Sequence, residues 1–357
     1  MMLHLDPAQA DVAAWRALAQ RASEPNPFFE PELLLPAVAR LGDDGVRLLV
    51  ARDAGGAWTG LLPIRRAAQW RRLPTSSQGT WMHRHCFLGA PLLAAGSEAE
   101  AMTALLDEVR SRASLVPLER LPADGPVADA VHGALEAAGI RAVVWDEHER
   151  AVLRRRPQED YVESILSSKR RREHRRQRGH LEREIGGGLE CDDASQDPAA
   201  VDAFLALEAS GWKGRAGTAM GSAADDAFFR ECCDGFRAAG RLQLLLLRAG
   251  DRVVAAKCNF VAGDGVFCFK IAYDEALARF SPGVQLELDN VHAFHARPEL
   301  AWEDSCADAT NQMINRLWPD RRRLTTLLVP GSGARGRVGR MQAGMAAGLR
   351  HRLKEHA

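Results

Sequence analysis

Tyrosine is nearly absent from this sequence: 357 residues hold two, against twelve phenylalanines and eight tryptophans. Any chemistry that needs a phenol rests on Tyr161 or Tyr273. No Cys-x-x-Cys pair occurs among the seven cysteines. Their number is odd and several sit inside apolar runs, so reduced, mostly buried thiols in a cytoplasmic protein are expected. Excess charge is also missing, since 47 Lys and Arg balance 47 Asp and Glu. That balance argues against capture of nucleic acid or membrane by the molecule as a whole, and leaves local patches open. No apolar run approaches the ~18 residues of a transmembrane helix. The N-terminal MMLHLDPAQADVAAW lacks a basic region followed by an apolar core, so no signal peptide is expected. Serine-elbow, phosphate-loop and dinucleotide-loop motifs are absent. His83 and His85 form His-x-His beside Cys86. With no second cluster at ligand spacing, a structural loop and no metal are expected there.

Residues 241–295 carry the most information. They read as three strands, near 242–247, 253–261 and 266–272, then a loop with Ser281-Pro282-Gly283, then a helix. Ala249-Gly250-Asp251 and Ala262-Gly263-Asp264-Gly265 supply the hairpin turns, because Gly accepts positive φ and Asp stabilises turns locally. A helix that starts where a strand ends is an anion site, because its first N–H groups have no partner in the helix. Residues 46–64 echo 242–260 as strand, Gly/Asp turn and strand, and each copy follows a comparable helical lead-in. The sequence therefore predicts an α/β (α+β) chain of two lobes, at 1–150 and 151–330, with a basic, Gly-rich tail at 331–357. The tail is expected to be an extension or a helix from about Gly339. Residues 158–184 are expected to form one charged helix.

The second half resembles the CelD/BioF2-like acetyltransferases of the GNAT superfamily, relatives of the tandem-GNAT FemABX enzymes. The resemblance lies in SKRRR (168–172), LEASGWKGRAGTAM (207–220), FKIAYDEALARFSPGVQL (269–286) and DSCADATNQMINRLWPDRR (304–322). It implies two tandem GNAT-like lobes with mixed, mostly antiparallel sheets flanked by helices. It also implies transfer of a non-aminoacyl group from acyl-CoA or an acyl-carrier protein to an amine, as in envelope or exopolysaccharide precursors. Two other readings are an aminoacyl transferase using transfer RNA and an inactive binding scaffold.

Particular residues carry these expectations. Glu208 is the expected general base for an attacking ammonium. Asp304 is a second carboxylate candidate, with a loop pairing to Arg321, Arg322 or Arg323 as the plainer alternative. Tyr273 is assigned the departing thiolate, by the resemblance. Arg279, Ser281, Gly283 and Val284 occupy the place of the GNAT pyrophosphate loop. That loop departs from its usual pattern, because Pro282 removes an amide donor and Gln285 replaces a small residue. Trp212 and Lys213, on a Gly-rich loop, and Lys270, inside a strand, are the expected substrate contacts. Strand alternation places Phe267, Phe269 and Ile271 on one face, with Cys268, Lys270 and Ala272 on the other. Lys169, Arg170, Arg171, Arg172, Arg175, Arg176, Arg178 and Arg183 form the strongest charge cluster. It reads as a solvated helix or as a clamp for an acidic carrier protein, a nucleotide phosphate or transfer RNA.

Overall fold

The hairpin that recurs in the sequence builds the same kind of sheet twice. The computed structural model describes residues 1–42, 45–156, 161–210 and 222–355. The chain divides into Met1–Glu149 with Arg322–Ala357, and Arg150–Arg321.

The first unit contains β1 (Met2–Leu5), β2 (Val46–Arg52), β3 (Trp58–Ala67), β4 (Ser77–Thr80), β5 (Leu92–Leu93) and β6 (Leu115–Pro122). The end of β7 (Val143–Arg154) belongs to the other unit, as does the start of β13 (Asp320–Pro330). The sheet runs β1-β2-β3-β4-β6-β13, with β5 on β3. Neighbours are antiparallel except β4 and β6, which are parallel. Gly79 permits that parallel pairing, since a Cβ there would collide with the Pro117 carbonyl. The helices are α1 (Val12–Gln20), α2 (Pro31–Leu41), α3 (Glu98–Ser111) and α4 (Pro126–Ala137). Asp11 starts α1 by accepting from the amides of Ala13 and Ala14 at 3.0 and 3.1 Å. Trp15 is buried and donates its indole N–H to the Phe29 carbonyl at 2.8 Å.

The second unit repeats this order. Residues 150–154 of β7 are followed by β8 (Glu190–Asp193), β9 (Leu242–Ala249), β10 (Arg252–Ala262), β11 (Gly265–Tyr273) and β12 (Trp302–Asp304). They run β7-β12-β11-β10-β9-β8. Again every pair is antiparallel except one, β11 with β12. The helices are α5 (Tyr161–Ile165), α6 (Ser168–Ile185), α7 (Ala199–Ser210), α8 (Ala223–Ala238), α9 (Pro282–His295) and α10 (Gln312–Leu317). The single charged helix expected at 158–184 is therefore two. Ser167 separates them and caps α6, its hydroxyl accepting from the Arg170 amide at 3.4 Å.

Two boundaries differ from the sequence reading. Residues 322–330 were expected to close the second lobe, but they complete the first sheet by pairing with β6. Of its two expected forms the tail takes the helical one, but it starts earlier than Gly339. It forms α11 (Gly333–Glu355), and Ala343 is buried against Trp70, Leu73, Leu115 and Leu328.

His83 is packed between Trp81 and His85, at ring-centroid distances of 5.1 and 6.5 Å. Its Nδ1 accepts from the His85 amide at 3.3 Å. Burial, then the nearby His85, Arg84 and Arg120, lower its pKa to about 3. The folded state therefore prefers neutral imidazole. Stability from this group is complete above the unfolded pKa of ~6.5 and falls as pH drops towards the folded value. The expected loss is about 2 to 3 kcal/mol between pH 7 and pH 4.5. Urea denaturation of wild type and His83→Gln at both pH values checks this, and equal losses in the two proteins would refute it.

Candidate functional site

β11 does not alternate regularly. Cys258 pairs with Lys270 while Asn259 pairs with Cys268, so Phe269 is an extra residue in a bulge. One extra residue reverses the parity of everything beyond it. Phe267 lies on the α7/α8 side with Phe260, and Phe269 packs on Phe228 and Phe229 of α8. Lys270, expected on the opposite face from Phe269, joins it there. Ile271 and Tyr273 turn to the α9 side, packing with Leu286.

The bulge brings Lys270 to Glu208, at the end of α7. The ammonium lies 3.1 Å from Glu208 Oε1. The carboxylate is 3% exposed, so it is not a helix-surface glutamate. Strands β11 and β12 are paired only at Gly265–Trp302, Val266–Glu303 and Phe267–Asp304. Lys270 therefore stands just past the point where the two parallel strands stop pairing. Asp304 is on the same face of the sheet but is engaged differently. It is fully buried, with both oxygens 2.6 Å from the Arg150 guanidinium, and it also accepts from the Cys306 amide at 2.9 Å. Its partner is thus Arg150 rather than Arg321, Arg322 or Arg323. A carboxylate held on both oxygens by a guanidinium is a poor proton acceptor.

Tyr273 lies across the sheet from Glu208, so the two do not converge on one reacting atom. Its ring covers the start of α9, where a Cβ added to Gly283 would lie 3.4 Å from Tyr273 Cδ1. Ser281 precedes α9 in the left-handed region, at φ 55° and ψ 53°. The amides of Val284 and Gln285 donate to the Ser281 carbonyl at 2.9 and 3.2 Å. Pro282 has no N–H, so among the described residues Gly283 supplies the one first-turn amide without a backbone acceptor. Arg279 turns away to Glu184, at 2.7 Å. Gln285 donates to the His174 carbonyl at 3.1 Å, tying α9 to α6. Trp212 and Lys213 lie outside the described residues.

The α9 face holds a cluster that the sequence reading missed. Lys257 is fully buried, 2.9 Å from Glu287 and 2.8 Å from Glu303, with its ammonium 4.9 Å from the Trp318 ring centre. Asn290 donates to Glu287 and Glu303 at 3.2 and 2.9 Å, and Asn259 donates to Gln243 at 2.8 Å. Burial opposes the charge on Lys257, but Cys268, Glu287 and Glu303 more than reverse it and hold its pKa above the usual lysine value. Burial raises the pKa of Glu303, partly offset by Lys257. The available signal was Lys257 and Asn259 interrupting the apolar strand VVAAKCNFVA, with Glu287 and Asn290 three apart on α9.

Residues 168–306 match the family model described as an acetyltransferase (GNAT) domain. That match lies within the second unit. The whole chain is similar in fold to FemX, with 11% identity and a TM-score of 0.60, over 92% of this chain and 96% of FemX. It is also similar to the C-terminal domain (DUF2156) assigned to a lysylphosphatidylglycerol synthetase of Agrobacterium fabrum. There the identity is 11% and the TM-score 0.57, over 95% and 96% of the two chains. L-PGS from Bacillus licheniformis aligns at 11% identity and TM-score 0.52, over 88% of this chain and 94% of that one. No curated protein matches the chain by sequence. The family match supports an acyltransferase, and these structures share its fold.

Within the second unit, α5, α6 and α9 line a cleft of about 300 Å³. Its lining includes Arg171, His174, Arg175 and Arg178 of α6, with Gln285, Asp289 and His292 of α9, over Val162, Leu166 and Leu288. Arg178 is held by Asp289 and the Leu189 carbonyl, both at 2.9 Å. Arg175 is exposed. No helix is long and apolar enough to cross a membrane among the described residues.

Removing Lys257 would leave two buried carboxylates uncompensated. Lys257→Met is expected to cost about 3–5 kcal/mol in denaturant unfolding, whereas K257M/E287L/E303L recovers most of that loss. A triple variant no more stable than the single one would show that the cluster is not coupled.

Proposed function

We propose that this protein is an N-acyltransferase that moves an acyl group from a thioester donor to an amine. The observation that carries this reading is the pair of buried Glu208 with half-buried Lys270, set just past the end of β11–β12 pairing. Glu208 takes the proton of the attacking ammonium, directly or through a water. The amine nitrogen bonds to the thioester carbon, and the carbonyl oxygen gathers negative charge, which the Lys270 ammonium stabilises. Collapse of that intermediate breaks the C–S bond, and the second proton leaving the amine nitrogen passes through water to the departing thiolate, while Glu208 returns the first to solvent. Asp304, through Arg150, fixes the end of β12 rather than moving a proton. Trp212 and Lys213, which follow Glu208 in the chain, would contact the acceptor.

The donor end favours a thioester on an acyl-carrier protein over free acyl-CoA. The start of α9 has one open amide, and Arg279 is turned to Glu184, so a pyrophosphate finds few donors there. The exposed Lys169, Arg170, Arg172 and Arg175 instead offer an acidic carrier a basic helix. Ser281, Gly283 and Val284 would meet the donor at the start of α9, beneath Tyr273. The acceptor amine would belong to an envelope or exopolysaccharide precursor.

A second reading is aminoacyl transfer from transfer RNA. The same α6 arginines favour it, as do the folds shared with FemX and with a lysylphosphatidylglycerol synthetase domain.

Parallel assays with radiolabelled acyl-CoA, acyl-carrier protein and aminoacyl-tRNA would separate these donors. With the active donor, Glu208→Gln is expected to lower kcat by roughly 10²–10⁴-fold while leaving the fold intact. Full turnover by that variant would remove Glu208 from the mechanism. Inactivity of wild type with every donor would point to a binding scaffold.

A further inference from the structure

We propose that the outer face of α11 docks on an anionic lipid surface. Among the described residues, six large apolar side chains stand at least half exposed, and four of them lie on this helix. They are Val338, Met341, Met345 and Leu349, between 51% and 62% exposed. At about 100° per residue their spacing confines them to one arc of the helix, roughly 80° wide. The stripe does not replace an inward face. Gly336, Gly339 and Ala343 are buried on the other side, where added Cβ atoms on the two glycines would collide with the backbone of Gly331 and Ser114. The helix therefore sits closely on its unit and still presents a second apolar surface to solvent. Its far end is anchored by Arg350, which pairs with Asp146 at 2.9 Å and donates to the Trp145 carbonyl at 3.3 Å. Val144, another of the six exposed apolar residues, adjoins that anchor in sequence.

Charge decides what covers this face. Arg335 flanks the stripe on one side and Arg337 flanks it on the other, each about 40° from its edge, and both are exposed. From Gly333 to Lys354 the sequence has no Asp or Glu. A second copy packed on the stripe would set one arginine-flanked, acid-free helix face against another, with no carboxylate on either helix face to pair the charge, which is repulsive. An anionic bilayer satisfies both features, because the apolar stripe enters the acyl boundary while the arginines meet phosphate head groups. Such a helix lies in the plane of the interface.

The test is co-sedimentation of the full chain with vesicles. Vesicles of phosphatidylcholine containing about 30 mol% phosphatidylglycerol should bind the protein, and pure phosphatidylcholine should bind it far less. Binding should weaken between about 0.05 M and about 0.5 M salt. M341E/M345E and R335E/R337E should each lower partitioning by roughly tenfold or more. Because these side chains are exposed, the thermal midpoints of both variants should match wild type. Wild-type binding by either variant would overturn the proposal. So would a wild type that ignores vesicles and forms, by light scattering, a dimer that M341E/M345E dissociates, since the face would then belong to a second copy.

Discussion

One ammonium group holds together three elements of the second unit that come from distant parts of its sequence. Lys257 of β10 meets Glu287 of α9 and Glu303 of β12, with Trp318 covering it. A lysine without water needs compensating charge, and here two carboxylates supply more than one unit of it. Asn290 bridges both carboxylates, so α9 is fixed in rotation as well as in distance. Apolar packing tolerates small slips, but this arrangement does not, because a shifted helix would leave a charge unmatched in the core. The register of β12 against β11 is fixed by the same contacts.

That register determines what happens on the opposite face. With Glu303 directed to Lys257, Asp304 must point the other way, where Arg150 receives it. Beyond Phe267 and Asp304 the two strands stop pairing, and the bulge at Phe269 brings Lys270 round to Glu208. A buried polar cluster on one side thus positions two ion pairs on the other.

Much of this was legible in the sequence, for reasons that are local. The hairpins of β2–β3 and β9–β10 follow from strand-like apolar runs and Gly/Asp turns, and both lie where their echo in the sequence put them. Glu208 and Lys270 stood out separately, one at the end of a helix and one as a charge inside a strand. Their contact did not, because regular alternation hides a bulge and Phe269 suits either register. Asp304 was noticed, but its partner was sought nearby, and Arg150 is 154 residues away. The end of the second lobe was set where the Gly-rich tail begins, and nothing in the sequence of residues 322–330 says which sheet they join. The loop before α9 was readable through Pro282, whose missing N–H acts the same way in any context.

The path of the chain between the two units has a consequence for synthesis. The second unit is one uninterrupted segment, Arg150–Arg321, whereas the first is divided, its final strand and helix arriving only with Arg322–Ala357. A ribosome therefore releases every residue of the second unit before the first can close its sheet. Until then the edge of β6 that β13 will cover has open backbone groups, the kind of edge that recruits unwanted strands. The half of the protein made first is the half that finishes last.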